Sequence, residues 1–411
     1  MKQRHLVLAL LSVLAVILYI DRVCISIALP AIQKDLALEP EQLGWISLAF
    51  SIAYAVFEIP SGHLGDRYGA RSALARITVA WSAFTALTGA AFGFAQLLVT
   101  RFLFGAGEAG AWPNASAVVA KWFPAKARAR AMGVFGAATT IGGGLSPFLV
   151  IPIQHAYGWR ASFVVFALAG VAWALVWWLW FRDAPSEMHA TPAELAELPP
   201  VPAHSDRGLV WSVALRKPTL WALFTMSFTN IHAAFFAVFW LPTYLAKARG
   251  FDDDDLKWIA ITWVMSGIGN VAGGALSDAL VKRIGRGAGR RVIGIAGMLV
   301  VSLGLLAVTR TQDKQLVLIA LSVCGFSWGV IQANSFATCI DVGGAHVGTI
   351  AGAMNTGGQL GGALSAIGFG YLVKASGSYD VPVLVMAAGS MLGALAWRWI
   401  DASAPIVEHD H

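Results

Sequence analysis

Apolar runs of about twenty residues recur along the chain, separated by short polar breaks that hold most of the charge. A helix of that length rises 1.5 Å per residue and crosses a hydrocarbon core of roughly 30 Å. Twelve such spans are predicted, roughly at 6–28, 43–63, 72–94, 97–120, 129–151, 159–181, 218–245, 256–280, 291–309, 315–338, 346–372 and 380–400. The pattern therefore predicts an all-α polytopic membrane protein. Composition agrees, with 57% of the 411 residues hydrophobic and 13% charged. Soluble domains carry about twice that share of charge. Forty-three glycines suit helices that pack closely in lipid. The first run follows Lys2 and Arg4, as in a signal peptide. It continues through Asp21 and Arg22 without a small-residue cleavage pattern, so a retained helix is predicted.

Basic residues set the orientation. With the N-terminus inside, eighteen lysines and arginines fall in inner segments and eight in outer ones. Both termini are therefore predicted to be cytoplasmic. This bias accounts for the net charge of +6, and no nucleic-acid partner is implied. Cys24, Cys324 and Cys339 lie inside spans and read as small apolar fillers. No histidine or carboxylate spacing marks a metal site, and "FDDDDLKW" (251–258) reads as a solvated helix start. The longest non-apolar segment, 182–217, divides six spans from six. Within it, Thr191 with Glu194 three residues later predicts the cap of a short helix. The expected parts are 1–181, a cytoplasmic loop 182–217, and 218–411 with a short tail.

Few ionisable residues lie deep in the spans: Asp21 and Arg22 in the first, Glu58 in the second, Arg101 and Glu108 in the fourth. Each would cost about 2.5–3.5 kcal/mol against lipid on insertion scales, so they should face the interior. Arg101 and Glu108 are seven residues apart and share a helix face. Asp21 and Arg22 are adjacent and point apart, so one should face a cavity and the other a neighbouring helix. Tyr54 can bring a hydroxyl to the same depth. A guanidinium binds a carboxylate through a rigid fork, so Arg22 and Arg101 are candidate ligands for an organic anion. Either arginine could instead neutralise Asp21 or Glu108, and the two states could alternate as protons come and go. Glu58, one turn below Tyr54, could join a proton path or pair with an inner arginine. The second half has neutral groups instead: Asn230, His232, Gln332, Asn334 and Asn355 are candidate partners for substrate hydroxyls.

An inner loop repeats. "GHLGDRYGAR" (62–71) follows the second span, and "GGALSDALVKRIGR" (273–286) follows the eighth. A loop recurring six spans later marks a duplicated six-helix unit. The first copy resembles the loop motif of the major facilitator superfamily. "RFLFGAGEAGAWPNASAVVAKWFPAKARARAMG" (101–133) and "FWLPTYLAKARGF" (239–251) are similar to segments of its anion:cation symporter branch. That branch includes bacterial hexuronate, aldonate, aldarate and phthalate transporters, and vesicular glutamate and sialic-acid carriers. The resemblance implies two pseudo-symmetric six-helix bundles that rock about one central site. It implies gating for Asp66, Arg67, Arg71 and Asp278, proton coupling for Asp21 and Glu108, and anion binding for Arg22, Arg101 and Tyr54. The vesicular carriers have a basic residue in the seventh span. "SFTNIHAAFFAVF" has none, which turns the expectation towards a polyhydroxylated acid.

The expected function is a secondary active transporter: proton-coupled symport of an organic anion, foremost a sugar acid (hexuronate, aldonate or aldarate). It would act as a monomer among the lipids of a bacterial inner membrane, with protons as coupling ion and no cofactor. An exchanger or exporter on the same fold, or a sodium-coupled carrier, remain open. No catalytic loop or nucleophile–base pair is evident, so no enzyme activity is expected.

Overall fold

The computed structural model describes residues 2–188, 190–198 and 209–407. Part of the 182–217 loop and the last four residues thus lie outside the described residues. All regular structure among them is helical: α1 (Gln3–Asp35), α2 (Pro40–Tyr68), α3 (Ala70–Gly89), α4 (Phe94–Glu108), α5 (Ala111–Trp122), α6 (Arg128–Tyr157), α7 (Trp159–Trp180), α8 (Pro192–Glu197), α9 (Trp211–Ala214), α10 (Pro218–Phe239), α11 (Leu241–Arg249), α12 (Asp253–Leu256), α13 (Ala260–Ile284), α14 (Arg286–Arg310), α15 (Lys314–Gly343), α16 (Val347–Ser376) and α17 (Asp380–Ala396), with a few 3-10 turns. Nine stretches among the described residues are long and apolar enough to cross a membrane.

The differences from the predicted twelve have local causes. The fourth span breaks into α4 and α5 because Pro113 has no N–H for the carbonyl of Ala109, four residues earlier. The break falls directly after Glu108. Pro242 likewise ends α10 short of the predicted span and starts α11. The tenth and eleventh spans run on from Lys314 to Ser376 through a single 3-10 turn at Gly344–His346. The third, α3, is one of the shorter long helices at 20 residues and is rich in Ser and Thr.

Two compact units result. Unit 1 comprises Met1–Pro124, Ala138–Gly208 and Ala345–Gly352; unit 2 comprises Ala125–Ala137, Leu209–Gly344 and Ala353–His411. In unit 1, α2 packs on α4, α3 on α4 and α7, and α1 on α7. In unit 2, α13 packs on α15, α14 on α15 and α17, and α10 on α17. These are the same four pairings, matched span for span, so the loop repeat is the visible edge of a repeated helix arrangement. Both copies also turn between helices at one left-handed glycine, Gly69 (φ 82°) and Gly285 (φ 83°). A side chain there would strain the turn.

Unit 1 is tied at its ends by carboxylates on exposed backbone N–H groups. Asp183 accepts from Ala70 N (2.8 Å) and Arg71 N, and lies 3.6 Å from Lys121. The short helix α8 starts at Thr191, whose hydroxyl accepts from Glu194 N, as the spacing predicts. The Glu194 side chain turns elsewhere. It is buried and caps α1 through Gln3 N (3.1 Å) and Arg4 N (3.0 Å). Next to it, Lys2 and Arg4 hold the Glu197 carboxyl down at about 2, so this clasp persists above the ordinary carboxylate range and fades as pH falls towards that value. Trp173 Nε1 donates to Leu10 O and joins α7 to α1. In unit 2, Arg249 at the end of α11 donates to Val308 O (2.9 Å) and pairs with Asp380 (2.5 Å), to which Tyr244 also donates.

Removing a cap should be measurable. Asp183→Ala is expected to lower stability by about 1 kcal/mol, seen as a lower melting temperature of the detergent-purified protein, with Asp183→Ser recovering part of it. An unchanged melting temperature for Asp183→Ala would show that the α3 terminus does not depend on this carboxylate.

Candidate functional site

Five of the deep residues gather in unit 1. Asp21 and Arg22 come from α1, Tyr54 from α2, and Arg101 and Glu108 from α4, and all but Arg22 are nearly or fully buried. The adjacent pair diverges as helix geometry requires. Asp21 accepts a hydrogen bond from Trp81 Nε1 of α3 at 3.1 Å. Arg22 reaches α4 and donates to Glu108 Oε1 from Nε (2.9 Å) and Nη2 (2.5 Å). The sequence leaves either arginine open as the partner of Glu108; in the structure Arg22 takes it, because Glu108 ends α4 and its oxygen meets the α1 guanidinium directly.

Aromatic rings line the arginines. The Arg22 guanidinium lies 4.7 Å from the Tyr54 ring centre, 5.2 Å from Tyr19 and 5.3 Å from Phe50. Arg101 lies over Phe104 at 4.3 Å and Phe50 at 5.1 Å. Phe50 thus touches both cations. Arg101 makes no hydrogen bond or ion pair among the described residues, although its relative exposure is only 3%. A buried guanidinium with aromatic faces and no ion pair among the described residues can accept a carboxylate or sulfonate. Glu58 is fully buried on α2, one turn from Tyr54.

The two loop aspartates do matching work. Asp66 accepts from Gly348 N (2.8 Å), Thr349 N (2.7 Å) and the Thr349 hydroxyl (2.7 Å), capping the first turn of α16 inside unit 1. Asp278 accepts from Ala129 N (3.2 Å) and Arg130 N (2.9 Å), capping the first turn of α6 inside unit 2. The neighbouring arginines differ. Arg71 donates to Trp178 O and stacks on the Trp178 ring at 4.5 Å, whereas Arg67 is exposed over Tyr68.

An ionic network in unit 2 was not singled out from sequence. Arg290, fully buried, donates to Asp341 (3.0 Å), Asp278 (3.2 Å) and Ser277 (2.8 Å), and Arg128 donates to Asp341 at 2.7 Å. Asn334 belongs to this network. Its oxygen accepts from Ser277 and its nitrogen donates to Arg290 O, so both ends of the amide are engaged within the protein. His232 is also engaged, with Nδ1 3.0 Å from Gly361 O and its ring stacked on Phe228. Asn230 is buried on α10, and its amide oxygen has no hydrogen-bond partner among the described residues. Asn355 is buried on α16, and Gln332 is half-buried on α15. No group of three or more His, Cys, Asp or Glu side chains among the described residues could hold a metal ion.

The chain is similar to known proteins in sequence and in fold. The family model of the Major Facilitator Superfamily matches residues 11–366. A probable sulfoacetate transporter of Cupriavidus necator is 34% identical, over 97% of this chain and 94% of its own length. A hexuronate transporter of Bacillus subtilis is 32% identical, over 96% of this chain and 94% of its own. Among solved structures, the human organic anion transporter MFSD10 shares the fold with a TM-score of 0.76 at 14% identity, over 97% of this chain and 100% of that one.

The unit 2 network has a sharp consequence. Arg290→Gln leaves Asp278 with only the exposed Arg130 guanidinium at 3.6 Å and Asp341 with Arg128 alone. It is expected to destabilise by about 3–5 kcal/mol, read as a large drop in melting temperature and loss of monodisperse protein. Arg291→Gln, next to it and only half-buried, should change little. Equal effects of the two would contradict a central role for Arg290.

Proposed function

Because the chain belongs to the Major Facilitator Superfamily, and is by that membership a transporter and not an enzyme, we propose that it is a proton-coupled symporter of a small organic anion in the anion:cation symporter branch. In this reading twelve spans form two six-helix bundles, 1–181 and 218–411 joined by 182–217, which expose one site alternately to the two sides of a bacterial inner membrane. The observation that carries the proposal is the Arg22–Glu108 pair beside the unpaired, buried Arg101.

The coupling step follows from charge balance. In the empty site Glu108 neutralises Arg22, and Arg101 is the open receptor. An incoming anion meets Arg101 first and then draws on Arg22. Glu108, losing its guanidinium in a low-dielectric setting, takes up a proton and becomes neutral. Release reverses the order: the proton leaves, Glu108 recaptures Arg22, and the anion is displaced. Asp21, held by Trp81, is a second proton carrier next to the same charges, and Glu58 is a reserve site on the path. Tyr54 holds the ring against which Arg22 is set. Asp66 and Asp278, with Arg67 and Arg71, serve the gate by capping or releasing helix starts.

A sugar acid is the foremost substrate class, with Asn230, Gln332 and Asn355 as partners for its hydroxyls. Asn334 and His232 are second-rank candidates because both ends of the Asn334 amide and the Nδ1 of His232 are already engaged. The relative named for sulfoacetate supports keeping short sulfonates beside hexuronates, aldonates and aldarates, since a guanidinium fork fits both head groups.

Proteoliposome uptake with and without an inward proton gradient, screened over these acids and sulfonates, tests the reading. Glu108→Gln mimics a permanently protonated acid. It is expected to keep binding and counterflow of labelled for unlabelled substrate, and to lose accumulation driven by the gradient. Continued proton-driven accumulation by Glu108→Gln would remove Glu108 from the coupling role. Arg101→Ala is expected to abolish anion binding, and unchanged affinity would remove Arg101 from the site.

A further inference from the structure

On α14 the buried Arg290 belongs to the ionic network, and its neighbour Arg291 is rotated about 100° away. Arg291 instead lines a groove of about 530 Å³ along α14 and α17 in unit 2. Arg291, Ile295 and Leu299 follow one another at four-residue steps on one face of α14. Met391, Leu395 and Arg398 do the same on α17 and the turn after it, at steps of four and three. Both arginines sit at one end of the groove, and the apolar side chains run away from them. From Arg291 to Leu299 the stripe is about 12 Å long.

We propose that this groove holds an anionic phospholipid, its phosphate on Arg398 and Arg291 and one acyl chain along Ile295, Leu299, Met391 and Leu395. Charge complementarity and order favour this occupant. Arg398 is exposed and has no ion pair among the described residues, so its charge is open to a ligand. Arg291 is oriented by donating to Ile400 O from Nε (3.3 Å) and Nη2 (3.1 Å). The charges that act here are those two, Asp401, which is near Arg291 and held by Ser403, and the exposed Lys282 and Arg283 at the end of α13 and Arg286 at the start of α14. The balance is positive. Met391 and Leu395 are exposed where a lipid tail would cover them. A small soluble anion would use the arginines and leave the stripe bare, and a zwitterionic lipid would bring a second positive charge to them.

Native mass spectrometry of the full chain in detergent, titrated with phosphatidylglycerol or with phosphatidylcholine of the same chains, tests this. Phosphatidylglycerol is expected to bind about fivefold more tightly, as one basic residue near a membrane surface allows. Arg398→Gln should erase that preference. Arg283→Gln, exposed at the same end and outside the groove, should keep it, and Leu395→Glu should weaken phosphatidylglycerol with both arginines intact. Equal binding of the two lipids by the unaltered protein, or an unchanged preference in Arg398→Gln, would overturn the site. Competition by glycerol phosphate as strong as by phosphatidylglycerol would show a head-group site alone and overturn the lipid assignment.

Discussion

A charge inside a membrane-spanning helix has to be answered by the protein, because lipid cannot answer it. This constraint organises the molecule. Glu108 answers Arg22 across α1 and α4, Asp341 and Asp278 answer Arg290, and Asp380 answers Arg249. Each pair joins two different helices, far apart in sequence for α1 with α4 and α11 with α17 and consecutive for α13, α14 and α15, so the charges that cost most also help fix which helices meet. Arg101 is the departure. It is buried among Phe50 and Phe104 and makes no hydrogen bond or ion pair among the described residues, and the transport reading grows from that difference.

The repeated helix arrangement explains why the two units carry different charges in similar frames. The pairings of α1, α2, α3, α4 and α7 recur in α10, α13, α14, α15 and α17. Asp66 and Asp278 cap helix starts in the same manner, after which each loop turns at one glycine. Within that shared frame unit 1 holds the deep acid–base cluster. Unit 2 holds a satisfied network of Arg290, Asp341, Ser277 and Asn334 towards one end. A satisfied network holds a unit rigid. A cluster with one unmatched cation can respond to a ligand.

Much of the helix order was legible in the hydrophobic pattern, since spacing of apolar runs is a local property. The breaks at Pro113 and Pro242 were equally local, and the missing proline N–H was the signal that could have found them. Pairing across helices was not legible. Arg22 and Glu108 are 86 positions apart, and nothing in the spacing says that α1 meets the end of α4. The i to i+7 relation puts Arg101 and Glu108 on one face, but which arginine pairs with Glu108 is decided by tertiary packing. Arg128, Arg290 and Asp341 do not stand out in the sequence, because burial of residues near helix ends depends on neighbouring helices. Asn334 reads as a ligand in a polar stretch of sequence until Ser277 and Arg290 are seen to occupy its amide.

Exchange of partners at Glu108 is the centre of the account, and proton uptake on binding reports it directly. Purified protein in weakly buffered detergent, mixed with a bound sugar acid or sulfonate while a pH indicator is followed, gives the number of protons taken up per anion. The expected result is net uptake by the unaltered protein, and less uptake by Glu108→Gln at saturating substrate. Anion binding without proton uptake, or the same uptake in Glu108→Gln, would contradict it.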